Sequence, residues 1–199
     1  MEQILTENVL SYLSRLTGEK LGVDTPLRLR SVQRAAFASW ARNQQVSVRL
    51  SVISSSVPFS IRELLTVQGE TPRLPAAQEK TSTVAAPSTA AVSQAIGIDI
   101  EEVENLPAAG DYREHEFYQD NFTSTEIAFC IRQPHVRASF CGTWAAKEAI
   151  LKAGHASAPA GNLKGIEILR DDQGRPFHPG CSLSISHTAR MAVAICSAP

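Results

Sequence analysis

Two carboxylates that could bind a metal ion lie in segment 97–102, which reads Gly-Ile-Asp-Ile-Glu-Glu. On an extended strand Asp99 and Glu101 point to the same face, because side chains alternate along a strand. Two carboxylates on one face repel each other unless a cation or a base joins them. They suit a hard cation such as Mg²⁺, which takes oxygen ligands and keeps waters and phosphate oxygens around it. The alternative is an exposed edge strand that carries acids to prevent pairing.

A second group of charged residues lies in segment 144–152, which has helical spacing and reads Trp-Ala-Ala-Lys-Glu-Ala-Ile-Leu-Lys. Glu148 and Lys152 are four residues apart, so a helix places them on one face, with Lys147 on the adjacent flank. A solvated helical salt bridge, which contributes only about 0.3–0.5 kcal/mol, has the same pattern. Alone, this motif leaves both interpretations open.

A third group combines a histidine with hydroxyl groups in segment 184–188, which reads Ser-Ile-Ser-His-Thr. At the end of a strand, hydroxyl and imidazole donors could bind a phosphate group. A capped turn with an exposed histidine would have the same sequence, and this segment taken alone favours the turn.

The elements that must position these groups follow from periodicity and from capping residues. Residues 95–100 alternate as a strand, and Thr123 with Glu126 forms a helix-capping box. Pro134 opens and Gly154 closes a long helix, the usual order of these two residue types. The other predicted strands are 165–170, 182–185 and 191–196, of which the last two form a hairpin.

The order and spacing of the three groups are more specific than any one of them. Gly-Ile-Asp-Ile-Glu is followed about 45 residues on by Trp-x-x-Lys-Glu-Ala-x-x-Lys, and then by Ser-x-Ser-His. This set resembles the phosphopantetheinyl transferases over roughly residues 96–195. Asn-Phe-Thr at 121–123 with Glu126, and Gly-Arg-Pro at 174–176, also look like that family.

The resemblance implies an α+β half-domain in which a long helix packs on a small antiparallel sheet. It implies transfer of the 4′-phosphopantetheine arm from coenzyme A to a serine of an acyl carrier protein of fatty-acid or polyketide synthesis. The reaction releases 3′,5′-ADP and depends on Mg²⁺. The rival interpretation is a carrier-like interaction and oligomerisation module without transferase activity. The intact Asp99, Glu148 and Lys152 argue against it.

By the same resemblance, Asp99 and Glu148 hold Mg²⁺, with Glu101 as a third or water-mediated ligand. The metal would bridge the pyrophosphate of coenzyme A and neutralise charge on the leaving group. Glu148, directly or through a water, is the expected base for the acceptor serine, and Lys152 stabilises or protonates the departing 3′,5′-ADP. Glu101 follows the longer members of the family and Glu102 the shorter ones, so the choice between them as ligand stays open.

The resemblance also assigns binding of the coenzyme A phosphates to Lys147, Ser186 and His187. In this family the site lies between two half-domains. For a short chain this implies a homo-oligomer, commonly a trimer, in which His187 completes the site of a neighbouring copy.

Residues 1–68 predict an all-α helical unit that precedes the transferase half-domain. Apolar residues recur at helical spacing in the first segment: Ile4, Leu5, Val9, Leu10, Leu13 and Leu16. Ser31 is predicted to cap a second helix, and 58–65 predicts a short last one. This unit resembles an acyl carrier protein, with Ser31 where the phosphopantetheine arm is attached.

The charge of this unit is opposite to that expected of a carrier protein. Residues 27–50 contain five arginines and no acids, and Arg30 replaces the acid before the serine. Residues 1–68 carry a net charge of +3, whereas 96–199 carry −4. Ser31 is then either a true acceptor modified in cis by an acidic partner, or part of a vestigial carrier unit with a docking role. Because the residue before the serine belongs to the recognised motif, we prefer the vestigial unit.

Between these two units, residues 69–95 predict a linker. The stretch contains Pro72, Pro75 and Pro87, is otherwise mostly Ala, Ser and Thr, and has no aromatic residue. We therefore expect three parts: a carrier-like helical unit (1–68), the linker (69–95) and the transferase domain (96–199).

Several other functions are disfavoured by composition. No apolar run approaches the roughly 18 residues that span a bilayer, and the first ten residues lack the pattern of a secretory signal. The four cysteines form no C-x-x-C pair, which favours a reduced, cytoplasmic protein. We expect no nucleic-acid partner for the arginines near Ser31, because only one aromatic residue, Trp40, lies near a helix that must also fill a core.

Overall fold

The computed structural model describes residues 2–54, 57–65, 95–158 and 162–199. Apart from Ala95, the predicted linker 69–95 lies outside these residues. Within them, the first part of the chain is helical and the second combines helices with antiparallel strands. None of the helices in these four ranges is long and apolar enough to cross a membrane.

Among its described residues, the first part contains four helices around a small apolar core. They are α1 (Glu2–Thr17), α2 (Ser31–Asn43), α3 (Leu50–Ser54) and α4 (Ile61–Leu65). Their fully buried side chains include Val9, Leu13, Phe37, Ile53 and Ile61. The last helix begins three residues after Pro58, later than the sequence predicted.

The start of α2 differs from the prediction by one residue. Ser31 is its first helical residue, and the extended residue before the helix, at the N-cap position, is Arg30. The amide of Arg30 donates to the side-chain oxygen of Gln33 at 3.0 Å, which helps to close the first turn. The predicted capping role of Ser31 is therefore wrong, and its hydroxyl is available for another contact.

The second part is built around one long helix and a three-stranded sheet. Its helices are α5 (Glu116–Asn121), α6 (Ser124–Cys130) and α7 (Val136–Lys152), and a 3₁₀ turn covers Val103–Asn105. Its strands are β1 (Ala95–Glu102), β2 (Leu169–Arg170), β3 (Pro176–Phe177), β4 (Ser182–His187) and β5 (Met191–Ala198).

The three long strands form an antiparallel sheet in the order β1-β5-β4, and β2 pairs with β3 separately. The predicted hairpin is confirmed as β4–β5. The predicted strand 165–170 is wrong for its first four residues, since only Leu169 and Arg170 pair with a neighbour. Short pairing of this kind cannot be distinguished from a longer strand by apolar pattern alone.

Helix α7 packs against β1, and Gly97 permits their close approach. A side chain at this position would place its Cβ 1.9 Å from the carbonyl oxygen of Ala149, which no ordinary contact allows. The helix ends as predicted near Gly154, whose φ of +69° suits glycine. The predicted capping box of α6 is also confirmed: Glu126 accepts from the amide of Thr123 at 2.8 Å.

Candidate active site

Asp99 and Lys152 form an ion pair where β1 meets the C-terminal end of α7. The ammonium of Lys152 donates to Oδ1 of Asp99 at 2.7 Å. Asp99 is 6% exposed, whereas the Lys152 side chain is about half exposed. Oδ2 of Asp99 is buried and has no hydrogen-bond partner among the described residues. A carboxylate held in this way retains one free oxygen for a ligand.

Burial raises the pKa of Asp99, and its hydrogen bond and charge pair with Lys152 partly oppose that effect. Nearby, the pKa of half-buried Glu148 is raised to about 7. The main cause is again burial, followed by the negative charge of Asp99, while Lys152 and Arg34 act in the opposite direction. Glu148 therefore exchanges its proton near neutral pH.

Glu101 lies on the same face of β1 as Asp99 and is also buried. Its Oε1 accepts from Asn105 at 2.6 Å and from the amide of Glu102 at 3.1 Å. Its Oε2 accepts from the hydroxyl of Ser31 at 3.2 Å. Burial raises the pKa of Glu101, while the hydrogen bond from Asn105 opposes the shift most. Unlike Asp99, Glu101 uses both oxygens in contacts with the protein.

The three predicted metal ligands, Asp99, Glu101 and Glu148, differ in how well they fit Mg²⁺. No three His, Cys, Asp or Glu side chains of the described residues come together as a metal-binding cluster. Mg²⁺ commonly uses only one or two carboxylates and completes its shell with waters and substrate phosphates. The free oxygen of Asp99, with Glu148 beside it, fits that requirement. Glu101 fits it less well, because protein donors occupy both of its oxygens.

Lys147, predicted to bind coenzyme A, lies elsewhere. Its side chain is fully buried, and its ammonium donates to Glu126 at 2.7 Å and to the carbonyls of Asn121 and Leu163 at 2.8 and 3.2 Å. An ammonium has three donors, and all three are used. The predicted role in phosphate binding is therefore corrected: Lys147 joins α7 to α6 and to the loop before β2.

Ser186 and His187 do not join the acidic group within the chain. In the sheet register His187 lies opposite Ala192, which lies opposite Glu101, so two strand spacings, about 10 Å, separate the histidine from Glu101. Ser186 points to the face of the sheet away from α7, because side chains alternate along β4. The exposed ring of His187 instead lines a cleft of about 350 Å³ with His135 and Arg170.

The sequence did not indicate two of the contacts at this site. Asn105 is bonded to Glu101, and the guanidinium of Arg30 pairs with Glu102 at 2.6 Å. Arg30 and Glu102 are 72 positions apart in the sequence. The only available signal for the second contact was the opposite net charge of the two parts of the chain.

Known proteins similar to this chain agree with the motif pattern. A family model of the 4′-phosphopantetheinyl transferase superfamily matches residues 95–196. A holo-[acyl-carrier-protein] synthase of Chlorobium phaeovibrioides is 37% identical over an alignment of 111 residues that covers 50% of this chain and 89% of that protein. The fatty acid synthase subunit alpha of Lachancea kluyveri is 41% identical over 78 residues, or 38% of this chain.

The two kinds of relative differ greatly in length. The match spans only 4% of the Lachancea kluyveri subunit. Among solved structures, a Chronobacterium ammoniagenes ACPS–CoA complex is 23% identical, with a TM-score of 0.43, over 53% of this chain and 96% of that one. The family match covers half of the chain and includes the strand of Asp99 and the helix of Glu148 and Lys152. This chain belongs to the 4′-phosphopantetheinyl transferase superfamily.

Proposed function

We propose that residues 96–199 transfer 4′-phosphopantetheine from coenzyme A to a serine of an acyl carrier protein of fatty-acid or polyketide synthesis, releasing 3′,5′-ADP. The names of the matching relatives, holo-[acyl-carrier-protein] synthases and fatty acid synthase subunits, support this acceptor class. The observation that carries the proposal is the Asp99–Lys152 pair, which keeps a buried carboxylate oxygen free beside Glu148. We place the reaction in the cytoplasm, in keeping with the four unpaired cysteines.

Asp99 and Glu148 are the residues that would hold Mg²⁺ in this proposal, with Glu101 in support. When bound, the metal would neutralise negative charge on the pyrophosphate of coenzyme A. Asp99 is oriented by Lys152 and by the packing of β1 on α7, so its free oxygen has a fixed direction. Glu101, held by hydrogen bonds from Asn105 and Ser31, would support the metal site from its position beside Asp99 on β1.

Proton transfer and charge stabilisation fall to two residues one turn apart on α7. Glu148 accepts the proton of the acceptor serine, either directly or through a water. The half-exposed ammonium of Lys152 is positioned to stabilise or protonate the departing 3′,5′-ADP. Phosphoryl transfer needs little covalent help from the protein, so placement and charge supply most of the catalysis.

We further propose that the enzyme is a homo-oligomer, most simply a trimer, in which Ser186 and His187 bind coenzyme A phosphates at a neighbour's site. Support comes from the sheet face turned away from α7. That face exposes four isoleucines by 43–63%: Ile96, Ile98, Ile100 and Ile195. Adjacent exposed apolar residues of this size mark an interaction surface.

The first part of the chain, residues 1–68, is proposed to be a carrier-like unit. Its four helices place Ser31 at the start of the second one, after a loop that follows α1. Leu27 and Phe59 join that loop to the segment before α4 through two backbone hydrogen bonds of 2.7 and 2.9 Å. These features support the likeness to a carrier protein that the sequence suggested.

Transfer of label from coenzyme A to a panel of purified carrier proteins tests the proposed activity. We expect the wild-type chain to label at least one carrier in the presence of Mg²⁺, and Asp99→Ala to label none. Asp172→Ala is the matched control, since Asp172 is an exposed turn residue in the same part of the chain. If the wild-type chain labels no carrier, or Asp99→Ala labels as well, a binding module without transferase activity is the better description.

A further inference from the structure

A serine of the first part of the chain reaches the acidic group of the second. The hydroxyl of Ser31 donates to Oε2 of Glu101 at 3.2 Å, although 70 positions separate the two residues. Glu101 lies two residues from Asp99 on the same buried face of β1. A hydroxyl is therefore held at the edge of the site proposed to transfer phosphopantetheine to a serine.

Ion pairs at both ends of α2 hold this helix on the acidic surface. Arg30, just before the helix, pairs with Glu102 at 2.6 Å, and Arg42, in its last turn, pairs with Asp120 at 2.7 Å. Each is a partly exposed pair and contributes little to stability alone. Together they set the orientation and register of the helix, which is the usual effect of complementary charge at an interface.

The face of α2 between these ion pairs is apolar and buried. Val32, Ala35 and Ala36 are at most 2% exposed and share one core cluster with residues of the second part, including Val103 and Phe117. The contact thus combines an apolar centre with a charged rim, as specific protein interfaces do. Ser31 lies at the end of this contact that is nearest to Glu101 and Glu102.

Arg34, one turn after Ser31, adds a further positive charge to this end of the helix. The positive charge of α2, which is unusual for a carrier protein, is complementary to the acidic surface of the second part of the same chain. This complementarity favours the in-cis acceptor, the first of the two hypotheses for Ser31.

We infer that Ser31 is an acceptor of phosphopantetheine for the transferase site of its own chain. This inference rests on the proposed function and names one of its substrates. Ser31 Oγ forms a bond to the phosphorus that carries the pantetheine arm of coenzyme A. The bond from that phosphorus to the bridging oxygen of 3′,5′-ADP breaks, and 3′,5′-ADP leaves with the electron pair. The hydroxyl proton passes to a neighbouring carboxylate and then to solvent, so atoms and charge balance.

Intact-mass spectrometry of the full chain tests the inference. The protein is made in a reconstituted translation system without coenzyme A, and is then incubated with coenzyme A and Mg²⁺. We expect the wild-type chain to gain one phosphopantetheine and Ser31→Ala to gain none. Ser11→Ala, which changes an exposed serine of α1, is the matched control and should gain one.

The same samples receive an outside carrier protein, which separates failure of the inference from failure of the proposed function. An unmodified wild-type chain that labels the outside carrier overturns the role of Ser31 and leaves the transferase intact. A chain that labels neither overturns both. Phosphopantetheine on Ser31→Ala at the wild-type level also overturns the role of Ser31, because another residue is then the acceptor.

The order of the reaction tests whether the acceptor and the transferase site belong to the same particle. Over a dilution range in which sedimentation shows an unchanged oligomer, we expect the fraction of Ser31 modified per minute to stay constant. A rate that falls in proportion to dilution would show transfer between separate particles, and the in-cis inference would be wrong.

Discussion

Helix α7 carries two lysines, five residues apart, and each pairs with a carboxylate at 2.7 Å. The side chains of Glu126 and Lys147 are essentially fully buried, and all of their polar atoms have hydrogen-bond partners. For example, Oε1 of Glu126 accepts from the amide of Ile168 at 2.8 Å. Around Asp99 and Lys152, the lysine is half exposed and one buried carboxylate oxygen has no partner among the described residues.

The difference separates a structural ion pair from a functional one. A buried pair stabilises a fold only when its remaining donors and acceptors are also satisfied, as they are around Lys147. An unsatisfied buried oxygen costs free energy, so its presence at Asp99 calls for an explanation such as a bound ligand. The two pairs should therefore respond differently to substitution, pH and ligands.

The largest effect on stability should follow loss of the buried pair. Lys147→Ala leaves Glu126 buried without its counter-charge, and we expect the free energy of unfolding to fall by about 3–5 kcal/mol. Denaturant unfolding measures this change, with exposed Lys164→Ala as the control. If Lys147→Ala unfolds at nearly the control's midpoint, the pair is not structural.

A smaller effect should appear at Glu148 and should depend on pH. Because its pKa in the folded chain, about 7, exceeds the ordinary glutamate pKa of 4.5, the folded state keeps a proton that the unfolded state releases between these values. Stability therefore falls as pH rises through that window. Without metal at pH 8, Glu148→Gln should be more stable than wild type by up to about 3 kcal/mol.

Thermal unfolding in a chelator, at pH 4 and at pH 8, measures this difference. At pH 4 both forms of residue 148 are largely neutral, so the advantage of Glu148→Gln should disappear. An advantage of equal size at both pH values would mean that packing, and not the buried charge, distinguishes the variant.

A substitution at Gly97 should disturb the Asp99–Lys152 pair and leave the Glu126–Lys147 pair in place. Gly97→Ala places a Cβ against the backbone of α7 and should cost about 1–3 kcal/mol. It should also move Asp99 away from Glu148, since both depend on the approach of β1 to α7, whereas Glu126 reaches Lys147 from α6. We expect transfer activity to fall more steeply than stability, as measured on folded protein at low temperature. Equal losses would show that the approach of β1 does not position the site.

Much of this arrangement follows from local sequence pattern. The alternation of β1, the capping box of α6 and the C-terminal end of α7 were predictable because each depends on residues close in the chain, whereas α7 begins at Val136 and not at the predicted Pro134. The two lysines of α7 could not be distinguished in the same way. Their difference arises from α6 and the loop at Leu163, which surround Lys147 but not Lys152.

The contact of Ser31 with Glu101 was beyond local pattern for the same reason. It depends on how α2 packs against the second part of the chain, and no spacing rule connects residues 70 positions apart. The sequence showed that the two parts carry opposite net charges, but it did not identify the residues that pair. Likewise, spacing alone did not show that protein donors occupy both oxygens of Glu101.

Whether the Asp99–Lys152 pair is the centre of the reaction is tested most directly by comparing Lys152→Ala with Lys164→Ala. Two quantities are measured for each variant: the unfolding stability and kcat/KM for transfer to a carrier protein. Lys152 is half exposed, so its loss should change stability by less than about 1 kcal/mol. If it stabilises the leaving group, kcat/KM should fall by about 100-fold or more while Lys164→Ala remains near wild type. Transfer by Lys152→Ala at the rate of Lys164→Ala would contradict the account, because the Asp99–Lys152 pair would then not be the centre of the reaction.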